Sequence, residues 1–244
     1  MGRPPRFLIA ADAITDGIAR ITGPELHHMR DVARIAPGAE ITLLADDRVE
    51  YLGRLRGFEA GCAIIEVVAS RREPAGFTAI LAAAIIKGPR MDFLIEKAAE
   101  LGAVQFWPLA CSRSVAKAPG LERLTRWRRL AAAAAKQSLT SHLMEIRDPA
   151  GVAAMVQNVP RETLPVVCAA GAEPLGQMLR RVRPRAIILA CGPEGGFDDA
   201  ETATMERSGF VSASLGRNRL RSETAGLTAL AIAGDAFDEF NRGS

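Results

Sequence analysis

From residue 77 onward, short apolar runs alternate with stretches of helical periodicity. The apolar runs are Phe77–Ile86, Val104–Leu109, Val166–Ala170, Ala186–Ala190 and Val211–Leu215. Between them, Arg90–Leu101 reads as an amphipathic helix ending at Gly102, a residue suited to a C-terminal cap. Leu121–Ser138 reads as a long basic helix, and further helical patterns start at Asp198 and near Ser222. Apolar strands separated by helices predict an α/β fold with a mainly parallel sheet covered on both faces. Before residue 73 the pattern differs. Strand candidates Arg6–Ile9, Glu40–Leu44, Glu50–Arg56 and Cys62–Ala69 are punctuated by turn signals at Pro37-Gly38, Asp46-Asp47 and Gly57. Pro24–Ile35 is a short helical candidate, and the whole is consistent with a small β-barrel. The composition shifts over Arg71–Gly76, which divides the chain into residues 1–72 and 73–244.

Two glycine-bearing turns stand out. Gly192–Gly196, within A-C-G-P-E-G-G-F, follows the run Ala186–Ala190, and Gly216 follows Val211–Leu215. Lacking Cβ, glycine lets the chain bend sharply and lets a ligand approach the main chain. Asp198 with Glu201 three residues on resembles a capping box, fixing the turn-to-helix junction. Two strand–turn–helix corners side by side are a sensible place for a pocket. The pocket is not of dinucleotide type: the spacing is not G-x-G-x-x-G, and no acidic residue lies between Glu206 and Glu223 to hold a ribose. No G-x-x-x-x-G-K-[ST] is present either.

Composition narrows the class. The chain has 244 residues, 48% apolar and 24% charged, and no apolar run approaches the ~20 residues needed to span a bilayer. The opening M-G-R-P-P-R-F-L-I-A has charge but no long apolar core, so it does not read as a signal peptide. Cys62, Cys111, Cys168 and Cys191 lack C-x-x-C spacing and read as small buried hydrophobes, so neither disulfide nor metal is expected. A cytoplasmic protein that does not engage membrane is the expectation. Net charge is only +3, but it is unevenly placed. Residues 1–72 carry ten basic and ten acidic side chains, while Ser112–Arg147 carries eight basic against two acidic. Arg180, Arg181, Arg183 and Arg185 form a second cluster. Clustered arginine suits phosphate recognition, although a solvated helix face is the plainer reading.

G-P-E-G-G-F, followed about two dozen residues later by L-G-R-N-R-L-R-S-E-T-A, resembles the signature of the SPOUT methyltransferases. Within that superfamily the chain is most similar to the RsmE family, which methylates N3 of a uridine in 16S ribosomal RNA. Lys87 with Arg90-Met91-Asp92, Ser112-Arg113-Ser114-Val115, and Trp127 with Ala133–Ser138 resemble further family segments. After Gln137-Ser138, however, Leu139-Thr140-Ser141-His142-Leu143 departs from the arginine and proline usual there.

The resemblance implies a PUA-like RNA-binding barrel over 1–72 and a SPOUT domain with a trefoil knot over 73–244. It implies S-adenosyl-L-methionine as cofactor, with Leu189, Leu215 and Leu220 as apolar walls. Gly192, Glu194, Gly195, Gly196, Gly216, Asn218, Thr224 and Ala225 complete the expected cofactor set. RNA contacts are expected at Arg6, His27, His28, Arg30 and Arg34 in the barrel, and at Arg113, Arg123, Arg126 and Arg129 beyond it. Adjacent histidines are more often plain surface helix residues. No third ligand accompanies them, so a metal is not expected.

Methylating uridine N3 requires in-line geometry, stabilisation of charge developing on the ring, and a destination for the N3 proton. Arg221 is the candidate for the charge and Glu223 for the proton, although a glutamate at a helix start is often only a capping partner. The expected partners are 16S RNA, within the small ribosomal subunit, and a second copy in a homodimer. A SPOUT ribose 2′-O-methyltransferase of ribosomal or transfer RNA, and a non-catalytic RNA-binding assembly factor, are the alternatives.

Overall fold

The structure, a computed structural model, describes residues 4–45, 49–72, 77–116, 118–138, 140 and 142–242. The turn expected at Asp46-Asp47 lies outside them. So do residues 73–76, which adjoin the expected domain boundary. Two compact units are present, Met1–Pro74 with Ala135–Leu143, and Ala75–Ala134 with Met144–Ser244.

The first unit contains β1 (Arg6–Ile9), β2 (Ile14–Thr15), β3 (Ile18–Ile21), α1 (Gly23–His27), β4 (Glu40–Ala45), β5 (Val49–Glu59) and β6 (Cys62–Arg72). The sheet order is β1-β4-β5-β6-β3-β2, with β1 parallel to β4 and the other pairs antiparallel. Alternate residues point inward, so Phe7, Ile9, Ile41, Leu43, Leu55 and Ile65 share one core. The helix expected over Pro24–Ile35 instead passes from α1 into a π-turn at His28–Val32.

Gly57 is not a turn. It lies within β5 at a register shift against β6, where a glycine commonly marks a bulge. The hairpin turns at Ala60 (φ 45°) and Gly61 (φ 75°), consecutive positive values that match the twist of the flanking strands. The last turn of the helix Leu121–Ser138 belongs to this unit. There Lys136 Nζ meets Glu25 Oε1 at 2.5 Å, and Glu25 Oε2 accepts Leu8 N–H at 3.0 Å.

The second unit runs β7 (Thr78–Ala84), α2 (Pro89–Glu100), β8 (Gln105–Leu109), α3 (Leu121–Ser138), β9 (Glu145–Ile146), α4 (Val152–Gln157), β10 (Leu164–Pro174) and α5 (Leu175–Val182). It closes with β11 (Ala186–Cys191), α6 (Asp199–Arg207), β12 (Val211–Ser214) and α7 (Ser222–Arg242). The sheet is parallel throughout, in the order β12-β10-β11-β7-β8-β9. Both faces are buried. Leu81, Ala83, Ile187 and Leu189 pack under α2, α3, α5 and α7, while Ile80, Ala82, Ile188 and Ala190 face α4 and α6. That double burial explains why these strands read as unbroken apolar runs.

Gly226 lets α7 lie close, since a Cβ there would come within 3.2 Å of Leu94 and 3.3 Å of Leu81. Among the described residues no helix is long and apolar enough to cross a membrane.

Candidate active site

The chain runs outward from β7 to β8 and β9, then returns to place β10, β11 and β12 on the other side of β7. Crevices at the carboxyl ends of parallel strands near such a reversal are the usual ligand sites of open α/β sheets. Here a cleft of about 430 Å³ opens at the ends of β10, β11 and β12. Its lining includes the turns Gly192–Phe197 and Ser214–Leu220, together with Ser222 and Ala225 of α7. The volume lies in the range of small-molecule sites.

The glycines of the first turn have different reasons for being there. A Cβ on Gly192 would sit 3.1 Å from Phe197 N and 3.3 Å from Gly196 C, so a side chain there needs the backbone of the turn to give by a few tenths of an ångström. Gly196 has φ 72° and closes the turn by donating its N–H to Pro193 O at 2.8 Å. Gly195 has neither constraint: its Cβ would make ordinary contact with Arg113 at 3.5 Å. Gly216, after β12, has φ 131°.

Downstream, the expected capping box is present. Asp198 Oδ1 accepts Glu201 N–H at 2.7 Å, and Glu201 Oε2 accepts Asp198 N–H at 2.9 Å. The Glu201 N–H, followed by Ser112, holds the Asp198 carboxyl below the usual range. Glu201 Oε1 also accepts Ser112 N–H at 2.8 Å, tying the loop after β8 to this corner.

Polar side chains cross-link the turns. Arg113 Nη1 donates to Gly195 O at 3.0 Å and Phe197 O at 3.1 Å. Arg219 Nη2 donates to Glu194 O at 2.6 Å, and Arg90 Nη1 meets Glu194 Oε1 at 3.1 Å. At the start of α7, Ser222 and Glu223 are only 5% and 7% exposed. Neither Ser222 Oγ nor Glu223 Oε2 has a hydrogen-bond partner among the described residues, although Arg90 Nη1 stands 3.6 Å from Glu223 Oε2. Arg221, immediately before them, is exposed, and its carbonyl accepts Ala225 N–H at 2.8 Å.

Of the expected cofactor set, Gly192, Glu194, Gly195, Gly196, Leu215, Gly216, Asn218, Leu220 and Ala225 line the cleft. Leu189 does not: it is fully buried in the core under the helices. Thr224 is exposed on α7 and is not in the lining either. Cys168–Ala170 and Ser222 line the cleft without having been expected. Nothing local marks Cys168–Ala170, since their place follows from β10 lying between β11 and β12. The sulfurs of Cys168 and Cys191 stand 3.5 Å apart as free thiols, and this contact together with burial pushes the Cys191 thiol well up.

The expected RNA-binding residues are spread over both units. In the first, the Arg6 side chain is 8% exposed and pairs with Glu50 at 2.9 Å. His27 and Arg30 both engage Asp31, whose carboxyl they hold down to about 2, Arg30 contributing most. His28 packs its ring 5.7 Å from Phe7, and Arg34 is exposed with φ 51°. In the second unit Arg126 is held by Asp92 at 2.7 Å, whereas Arg123 and Arg129 are exposed without an ion-pair partner among the described residues.

The model of the RNA methyltransferase domain family matches residues 73–234, which carry this sheet and the cleft at its strand ends. The likeness extends further. Ribosomal RNA small subunit methyltransferase E of Synechocystis sp. is 31% identical over 230 residues, covering 93% of this chain and 76% of that protein. The enzyme of the same name from Bacillus subtilis is 29% identical, covering 86% and 87%. The crystal structure of the Neisseria gonorrhoeae protein of that name, bound to S-adenosyl methionine, superposes with a TM-score of 0.82 at 26% identity, over 96% of this chain and 98% of that one. The chain belongs to the RsmE family of RNA methyltransferases.

Proposed function

We propose that this protein transfers a methyl group from S-adenosyl-L-methionine to N3 of one uridine in 16S ribosomal RNA, on the small subunit in the cytoplasm. The observation that carries the reading is the cleft, where two constrained glycine turns meet the start of α7 with Ser222 Oγ buried and without a hydrogen-bond partner among the described residues. A buried polar atom without a partner is costly, and a ligand is one way to satisfy it. The residues present fit a cofactor with an adenine, a ribose and an amino-acid tail. Main-chain groups of 192–196 and 215–220 supply hydrogen bonds, Leu215 and Leu220 supply apolar wall, and no phosphate cradle is needed.

When bound, the cofactor supplies an electrophilic methyl on sulfonium sulfur. The protein's part is to hold uridine N3 in line with it, which contributes up to roughly 7–11 kcal/mol in ideal cases. Arg221 donates hydrogen bonds to a uracil oxygen as charge builds on the ring, and Glu223 receives the N3 proton. The target base enters flipped or single-stranded, since its N3 is paired within a duplex.

Exposed Arg123 and Arg129 suit phosphate contacts that set register. Arg34 and the histidines do the same for the first unit, read here as the PUA-like RNA-binding domain of residues 1–72. The same reading makes 73–244 a knotted SPOUT domain acting as a homodimer. Incubation with labelled cofactor and separate small subunits, large subunits and transfer RNA tests it. Label confined to small subunits supports the assignment, and label confined to transfer RNA rejects it.

A further inference from the structure

Arg90 sits where a cation is locally disfavoured. It is the second residue of α2, where the unpaired N–H groups carry positive partial charge, and no side chain caps that end. A residue that opposes its own helix is worth explaining by what it touches. Arg90 Nη1 touches two carboxylates from distant parts of the chain, Glu194 Oε1 at 3.1 Å and Glu223 Oε2 at 3.6 Å. Glu194 belongs to the turn after β11 that lines the cleft, and Glu223 to the first turn of α7. On its other side, the Glu194 carbonyl accepts from Arg219 of the turn after β12. The two glutamates therefore meet through one guanidinium, and without it two negative charges face each other at the cleft's edge.

We propose that Arg90 is a positioning residue for the methyl-transfer site. Its guanidinium clasps the Glu194 turn to the start of α7, keeping the cofactor cleft formed and Glu223 directed for its role. The idea rests on the function proposed above. It adds a residue outside the glycine motifs that acts through Glu194 and Glu223 without touching substrate. A lysine at 90 retains the charge but loses the guanidinium's planar fork, so it restores the clasp only in part.

The test uses the full-length protein with Arg90→Ala, Arg90→Lys, Glu194→Gln and the double variant Arg90→Ala/Glu194→Gln. Cofactor affinity is measured by calorimetry, and kcat and KM on small subunits in parallel. Arg90→Ala should weaken cofactor binding about tenfold, with a circular-dichroism spectrum like that of wild type. Arg90→Lys should recover part of the loss. The double variant should bind better than Arg90→Ala alone, because removing the Glu194 charge relieves the repulsion that the lost arginine exposes. A merely structural role for Arg90 gives no such rescue. A folded Arg90→Ala protein within about a factor of two of wild type overturns the clasp, as does a double variant whose losses simply add. Wild-type protein that binds no cofactor overturns the proposed function instead, so the two failures are distinguishable.

Discussion

Gly192 and Gly195 are three residues apart in one motif, yet their environments differ. A methyl on Gly192 presses tightly on the backbone of Gly196 and Phe197, whereas one on Gly195 meets only the flexible stem of Arg113. Overpacking against backbone costs about 1–3 kcal/mol, so Gly192→Ala should distort the turn and weaken cofactor binding roughly tenfold. Gly195→Ala should bind nearly as wild type does. Calorimetry on both variants checks the contrast, and equal affinities would contradict the geometry. Arg221 is exposed and no side-chain hydrogen bond or ion pair holds it among the described residues, so its removal should leave the cleft intact. If it stabilises charge in the transition state, Arg221→Ala should lower turnover about 10²–10³-fold with cofactor affinity little changed. Turnover within a factor of about two of wild type would exclude that role. At this scale the motif was legible in the sequence, but the reason for each glycine was not. Backbone proximity at Gly192 and positive φ at Gly196 emerge only when the turn closes.

Among the elements, the capping box at Asp198 was legible because its partners lie three residues apart. It fixes where α6 starts and hence where the cleft-lining turn ends. Its charge also gives a signed pH dependence. The Asp198 carboxyl titrates lower in the folded protein than in an unfolded chain, so its contribution is fully present above the ordinary aspartate value. That contribution is lost as pH falls from about 4 towards the folded value. Asp198→Asn removes it. The melting temperature of wild type should therefore fall more steeply than that of Asp198→Asn as pH drops below about 4, as thermal denaturation can measure. Parallel curves would remove Asp198 from the acid response. The long strands β7 and β11 and the helix α3 were legible for a similar reason, since burial on two faces or one writes itself into the local pattern. β2, at two residues, is too short to leave a period, and Gly57 carried a turn signal that a bulge satisfied instead. Leu189 shows the same limit from the other direction. Its place beside the motif suggested a cleft wall, but it lies two residues before the end of β11, on the same face as the cleft-lining Cys191, and is covered within the core.

For the whole molecule, the order of strands matters more than any one of them. Only the sheet order β12-β10-β11 brings Cys168–Ala170 beside the two glycine turns, and only the packing of α2 against α7 brings Arg90 to Glu223. No local pattern announces either juxtaposition. The proposed homodimer would likewise be a property of the assembly. Gly226 of α7 is used within its own domain, while a Cβ on Gly234 would meet nothing within 4 Å. If the first unit of one chain serves the cleft of another, subunits carrying Arg221→Ala should regain activity when mixed with subunits lacking residues 1–72. A wild-type protein that sediments as a monomer while methylating at full rate would rule this out. The central claim is chemical, however: the methyl goes to a uracil nitrogen. Nucleosides released from small-subunit RNA after reaction with isotopically labelled cofactor, separated by chromatography and identified by mass spectrometry, test it most directly. The account predicts labelled 3-methyluridine as the product, and a labelled 2′-O-methylnucleoside in its place would contradict it.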